Sequence, residues 1–377
     1  MGKVKTGVLY ERSCHDNNIM RDVSIDIIKG ICIIFMVWGH AAGPFKHWIY
    51  LFHMAVFFIA SGILWDDMRV TDIHRCRTFI LRKIRSLWLP FVLCNALFNL
   101  VHNLFLEIGI YSDNPMFIKM AAGANNYLQE YRTASEICIE IIKNLFFAGG
   151  SQLGGATWFL RTLFQVLFVY MIIIYITGKY NSTKLVICIS AFVCIVGASI
   201  VSMYNLKFPL GMHSFFAAFL AFLAGVLINK TDFNKIISKH KYKAVVICFL
   251  SLFMLNKYGK VDMASGNITN VVFFLISSVT GWFMLYSIAS CKCIRDNRLL
   301  VYTGRHTLSI MALHFLAFKI VTWIYLSISG GDMLYLAAFP VIRNVPFLWV
   351  FYTLCGVAVP LATESATRAI MGIYIKR

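Results

Sequence analysis

Acidic residues are scarce in this chain. Only 17 Asp and Glu stand against 35 Lys and Arg, and the charged types together make up 14% of its 377 residues. A soluble domain carries about 25% charged residues, so a water-soluble globular protein is excluded. Proline is nearly as sparse, at seven residues. No internal repeat is visible, which argues against the matched, Pro- or Gly-broken halves of many transporters. The eleven cysteines include no Cys-x-x-Cys pair, and Cys291 with Cys293 is too little for a zinc site. They read as free thiols acting as small hydrophobes, with no metal expected. The first 21 residues lack the apolar stretch and small-residue cleavage site of a signal peptide, so the first apolar run is expected to stay in the mature protein.

What is present in excess is apolar sequence, 59% of the chain. Ten runs approach or exceed the ~18 residues that mark a membrane helix. They fall at about 25–44, 47–65, 87–106, 157–177, 184–204, 211–229, 244–257, 269–290, 307–328 and 346–371. The seventh, AVVICFLSLFMLN, is short for a span. The fold class is therefore all-α: a polytopic transmembrane helical bundle of about ten spans. With the N-terminus cytoplasmic, 23 basic residues fall on the inside and 8 on the outside, which puts both termini in the cytoplasm. Residues 1–24 form an N-terminal cytoplasmic segment, 25–371 one membrane domain and 372–377 a tail. The longest connection, about 107–156, faces outward; within it ASEICIEIIKNLFFA is expected as an interfacial helix and GGSQLGGA as a flexible loop. The basic residues lie in short loops without interleaved aromatics, so a nucleic-acid partner is not expected.

Four groups of residues could carry chemistry. Lys29 and His40 lie eleven residues apart on the first run, about three helical turns or roughly 16 Å, and on nearly the same side. An ionisable group within a span commonly costs ~2.5–3.5 kcal/mol and is a functional candidate by default. Asp26 either belongs to such a site or forms a local i,i+3 pair with Lys29. His53, in FHMAVFFIASG, should lie at a depth comparable to His40, as an acid/base partner or as a packing residue. The Ser61–Gly62 pair that follows permits close helix approach. Arg82 and Arg85 share one face in LRKIRSLWLP, suited to phosphates or to anchoring at a membrane surface. GRHTLSIMALHF carries Arg305, His306 and His314, while Arg161 and Glu364 are further polar groups in apolar settings. Mutual neutralisation accounts equally well for several of these.

Taken in order, these pieces resemble the acyltransferase-3 family of integral membrane acyltransferases, especially its fucose 4-O-acetylase-like branch. The matching segments are Lys29-x10-His40, FHMAVFFIASG, Arg82-x-x-Arg85 before LWLP, WFL at 158–160 (with Trp158 and, just beyond, Arg161) and GRHTLSIMALH at 304–314. The chain has Lys29 where many relatives have Arg, and TLSI where a Ser-Leu pair is frequent. The resemblance implies transfer of an acyl group, usually acetyl, from cytoplasmic acyl-CoA to a hydroxyl of a cell-surface polysaccharide or its lipid-linked sugar precursor. Acetyl-CoA would be a co-substrate, with no permanently bound cofactor. Arg82 and Arg85, with Lys29, would hold CoA phosphates, and His40 would be the general base. His53 would orient the acceptor or stabilise the oxyanion, with Asp26, Trp158, Arg161 and His314 lining the cavity. Direct transfer needs fewer steps than an acyl-histidine intermediate. The location implied is the bacterial inner membrane, among lipid. The competing reading is a transporter or flippase that uses the same His and Arg as a path. Nothing in the sequence specifies an oligomeric state.

Overall fold

The computed structural model describes residues 23–120, 128–178 and 183–375. The N-terminal segment expected to be cytoplasmic, up to residue 22, lies outside the described residues, as do 376–377 at the tail. The architecture is a helical membrane bundle. In chain order its main helices are α1 (Val23–His40), α2 (His53–Ile63), α3 (Ile73–Lys83), α4 (Leu89–Leu100), α5 (Trp158–Gly178), α6 (Thr183–Tyr204), α7 (Phe215–Asn229) and α8 (Lys241–Leu255). A two-residue antiparallel hairpin follows, β1 (Val261–Asp262) with β2 (Asn267–Ile268), then α9 (Val271–Ala289), α10 (Arg298–Arg305), α11 (Thr307–Ser329) and α12 (Leu348–Ile375).

Among the described residues, eight stretches are long and apolar enough to cross a membrane: 23–40, 46–63, 155–178, 184–204, 209–229, 271–289, 307–329 and 348–370. The other two expected spans are not among these eight. The seventh is α8, a 15-residue helix, about 22 Å long against the ~30 Å hydrocarbon layer. The third is divided: a π-helical turn (Ile84–Trp88), the 12-residue α4, and a short helix (His102–Glu107) after a break at Val101. Its polar side chains explain the break. Asn95, Asn99 and His102 are buried and find partners among Glu130, Arg132 and Thr157. Asn95 donates to Thr157, Asn99 accepts from Arg132, and the His102 ring bonds the Glu130 carbonyl.

The glycine stretch at the end of the longest connection is hydrogen-bonded to α4. Ser151 donates to Asn95, the Gly154 amide donates back to Ser151, and Gly155–Thr157 forms a 3₁₀ turn leading into α5. The amphipathic segment within the same connection folds as a helix (Ala134–Leu145), closed by a Thr133/Glu136 capping box. Two hydrogen bonds from Thr133 hold the Glu136 carboxyl below its ordinary range.

Helix α1 is the central stave, packed against α2, α9, α10, α11 and α12. It ends at His40: Ala42 is left-handed (φ 57°), Pro44 follows, and the Trp38 indole donates to the Pro44 carbonyl at 2.9 Å. The return span is kinked. A five-residue helix (Lys46–Tyr50) turns at Leu51–Phe52 into α2, so His53 stands at a helix start beside the end of α1.

Two glycine pairs bring backbones into contact. A Cβ on Gly62 of α2 would strike the Phe222 carbonyl of α7, and one on Gly225 would strike the Ile59 carbonyl. A Cβ on Gly304 of α10 would strike the Asp26 carbonyl of α1, and one on Gly30 the Leu300 carbonyl. Without a hydrophobic drive between helices in lipid, such close packing is what holds them together. Each clash is with backbone, which yields little. Gly62→Val is therefore expected to destabilise the protein by ~1–3 kcal/mol, read as a lower Tm in detergent. An unchanged Tm would mean that α2 and α7 are not locked at this crossing.

Candidate functional site

Near the end of α1 a cavity of about 310 Å³ is bounded by His40, His53, Tyr50 and Trp158, with Lys46, Asp262 and Arg343 on its wall. Phe315, Phe339 and Pro340 complete an apolar side, and the hairpin contributes Val261 and Met263. His40 lies close to three aromatic rings: Phe315 at 4.9 Å between centroids, His314 at 5.4 Å and Tyr50 at 6.4 Å. The His53 ring stacks at a tilt on Tyr50, 5.0 Å away.

Backbone carbonyls fix the proton positions on two of the three imidazoles. His53 Nδ1 is 2.9 Å from the Ile49 carbonyl; His314 Nδ1 is 3.0 Å from the Ile310 and 3.1 Å from the Met311 carbonyl. A carbonyl only accepts, so Nδ1 carries the hydrogen in both rings and a neutral ring presents a bare lone pair at Nε2. His314 Nε2 is buried and has no hydrogen-bond partner. Hydrogen bonds from the ring to the preceding helical turn thus turn two side chains into oriented acceptors.

A second cavity, about 220 Å³, opens at the other end of α1. Lys29, Arg305, Ser61, Ser86 and Thr307 give it a polar portion, and Ile33, Phe57, Phe159, Leu163 and Leu308 an apolar one. Arg305 is fixed by Asp26: its Nε donates to the buried carboxylate at 3.0 Å, leaving the guanidinium partly exposed toward the cavity. The Gly30/Gly304 contact makes that reach possible. Close by, Glu364 accepts from His306, Ser309 and Arg368 at 2.8, 2.5 and 2.5 Å, so this partly buried carboxylate is neutralised within the protein. The two cavities share two lining residues, Met36 and Met54. Met36 stands one helical turn before His40 and Met54 directly follows His53.

A family model described as an acyltransferase domain matches residues 22–364, nearly the whole chain. The chain belongs to the acyltransferase-3 family. No curated protein and no solved structure matches it.

In this acyltransferase-3 chain the motif residues are distributed as follows. His40, His53 and Trp158 line one cavity and Lys29 the other. His314 stands behind His40 rather than in the wall. Asp26 is buried and reaches the Lys29 cavity through Arg305. Arg161 lies against Gly211, in the turn before α7, and lines neither cavity. Arg82 lines a separate groove of about 230 Å³ with Arg69, His74, Arg75, Thr78 and Phe79; Arg85 is exposed on the π-helical turn and lines none of these three. Half-buried Lys83 lines neither the groove nor the Lys29 cavity but lies within electrostatic reach of Arg69 and Arg82 in the one and of Lys29 in the other. Burial first, then the nearby charges of Arg69, Lys29 and Arg82, hold its ammonium below the ordinary lysine range.

Sequence reading did not single out Met36, Tyr50, Met54, Asp262, Lys46 or Arg343 as lining residues. Helical spacing from His40 carries the signal for Met36, and adjacency to His53 that for Met54. No local pattern carries Asp262 or Arg343, which reach the cavity only through the fold. Because Met36 and Met54 form the boundary between the cavities, Met36→Ala with Met54→Ala is expected to join them. Proton flux into proteoliposomes, followed with an entrapped pH dye, should then exceed that of the unsubstituted protein. Equal flux would mean that other atoms make the seal.

Proposed function

We propose that this protein is a membrane O-acyltransferase that moves an acetyl or similar short acyl group from cytoplasmic acyl-CoA to a hydroxyl of a cell-surface polysaccharide or its lipid-linked sugar precursor. The observation that carries this reading is the pair of cavities at opposite ends of α1, meeting at Met36 and Met54 beside His40 and His53. A donor entering past Lys29 and an acceptor entering past Lys46 would meet beside these imidazoles. The span of ~16 Å from Lys29 to His40 is one that a pantetheine arm can cover. Family membership favours an enzyme over a transporter or flippase. The FHMAVFFIASG and WFL segments support the fucose 4-O-acetylase-like branch, and the 23-to-8 charge asymmetry supports a cytoplasmic Lys29 end, in a bacterial inner membrane.

The donor's phosphates would bind along a basic track: Arg69, Arg75 and Arg82 in the groove, then Lys83, then Lys29 and Arg305 at the cavity, with Arg85 at its edge. Crowded cations repel one another, and a polyanion relieves that repulsion. His40 acts as general base. It takes the proton of the acceptor hydroxyl as the oxygen attacks the thioester carbonyl, and the CoA thiolate leaves as the tetrahedral intermediate collapses. The lone pair on His314 Nε2 is suited to accept a hydrogen bond from His40, steadying the ring. His53 has its Nδ1 hydrogen committed to Ile49, so its Nε2 is better suited to accept from the acceptor hydroxyl than to donate to an oxyanion.

Two outcomes test the assignment. His40→Ala should lower transfer of radiolabelled acetyl groups from acetyl-CoA to the host's surface glycan by ~10²–10⁴-fold, with the protein still folded and CoA still bound; normal transfer would remove His40 as the base. Arg82→Ala with Arg85→Ala should weaken CoA binding, measured calorimetrically on the detergent-solubilised protein, before it affects Tm. Unchanged affinity in a well-folded double variant would remove the arginines from the donor site.

A further inference from the structure

The histidine cavity has a charge pattern that the proposed reaction does not require. Transfer to a neutral sugar needs a base, a route for the thioester and a surface for the sugar ring. Tyr50, Trp158, Phe315 and Phe339 supply such a surface. Lys46 and Arg343 add two cations to the same wall. Neither forms an ion pair within 4 Å or a side-chain hydrogen bond among the described residues, although Lys46 lies over the Tyr50 ring at 5.2 Å. One carboxylate shares the wall, that of Asp262. Its Oδ1 accepts from the Ser265 amide at 3.3 Å, within its own hairpin turn. It lies near enough to act on Lys46 electrostatically, as does Arg343, yet the wall retains one positive charge more than it neutralises.

These cations are held by the fold. Lys46 opens the short helix between His40 and His53. Arg343 follows a segment fastened to the bundle at several points. Buried Lys319 donates to the Leu336 and Ala338 carbonyls at 2.9 and 2.8 Å. The Tyr352 hydroxyl, itself 2.8 Å from Thr322, receives the Ile342 amide at 3.4 Å. A left-handed Asn344 (φ 64°) then turns the chain. Braced cations on one cavity wall, without carboxylate partners of their own, form a site for an anion.

We propose that the acceptor is an anionic sugar, bearing a carboxylate or a phosphate, and that Lys46 and Arg343 hold that anion while a hydroxyl of the same or the adjoining ring lies against His40 and His53. The cavity of about 310 Å³ is at the small end of ligand pockets, so anion and hydroxyl must lie within one or two rings of each other. This substrate class rests on the transferase reading above. The carboxylate would belong to a uronic acid and the phosphate to a phosphorylated or lipid-diphosphate-linked sugar.

The test separates the sources and the two readings. Binding of methyl glucoside, methyl glucuronoside and glucose 1-phosphate to the full-length protein in nanodiscs is measured by calorimetry, in parallel with acetyl transfer from radiolabelled acetyl-CoA. At least one charged sugar should bind about tenfold or more tightly than the neutral one, as charge-assisted contacts provide; which one identifies the source. Lys46→Gln and Arg343→Gln should each reduce that preference and Arg343→Lys should restore part of it. Lys257→Gln, an exposed cation outside the cavity, should leave it unchanged. Equal or tighter binding of the neutral sugar, no binding of any sugar, or a preference that survives Lys46→Gln with Arg343→Gln would overturn the anion site. A charge preference that depends on Lys46 and Arg343 without any acetyl transfer would overturn the transferase reading while leaving this site standing.

Discussion

The contact on which the rest depends is the crossing of α1 and α10, where Gly30 and Gly304 let two backbones touch. A side chain larger than hydrogen at either position would strike a carbonyl of the other helix. Because the helices meet there, the Asp26 carboxylate, buried at the start of α1, can reach the Arg305 guanidinium at 3.0 Å. One charge neutralises the other, and the arginine gains a fixed direction toward the Lys29 cavity. Removing Arg305 would take a charged hydrogen-bond donor from the buried Asp26 carboxylate, and a buried carboxylate is costly to leave less well compensated. Packing and electrostatics at this end of the bundle are therefore one constraint.

The same economy of polar groups recurs through the membrane domain. Glu364 is enclosed by His306, Ser309 and Arg368, Lys319 by two carbonyls, and Asn95 by Thr157 and Ser151. In a medium without water each such group must find a partner inside the protein. The exceptions stand out against that background. His314 Nε2 is buried without a partner beside His40, and Lys46 and Arg343 face a cavity without a carboxylate at ion-pair distance. Buried polar atoms without a partner also occur away from this cavity, at Arg161 Nε and the Tyr170 hydroxyl among others; what marks the place where chemistry is expected is that His314, Lys46 and Arg343 gather beside His40.

The two cavities would also solve a problem that the proposed reaction poses. Reactants from opposite ends have to approach each other without opening a water-filled pore. Met36 and Met54 suit that boundary because thioether side chains are apolar and have several rotatable bonds. They can fill a gap when the site is empty and move aside for a slender acyl chain. Their neighbours in sequence are the two histidines, so the boundary and the proposed reacting centre lie in one layer of the structure.

Much of this was legible in the sequence. Scarce charge, long apolar runs and the uneven spread of Lys and Arg specify a helical membrane protein, and the one-sided Lys29 to His40 spacing fixes a cation and an imidazole at opposite ends of one helix. Those features are local: composition and helical periodicity act within a single segment. Local reading also placed Ser61–Gly62 at a close helix contact. It did not reveal that Asn95, Asn99 and His102 turn inward to bind Thr157, Arg132 and Glu130, because apolar composition carries no trace of such partners. It read GGSQLGGA as a flexible loop because glycine content does not disclose the bond from Ser151 to Asn95. Only the tertiary structure decided that Arg305 meets Asp26, that Arg82 and Lys29 line separate hollows, and that Asp262 and Arg343 come to the wall beside His40. Residues so far apart in the chain leave no periodic trace in it; their proximity exists only because buried backbones and polar groups have to be packed together.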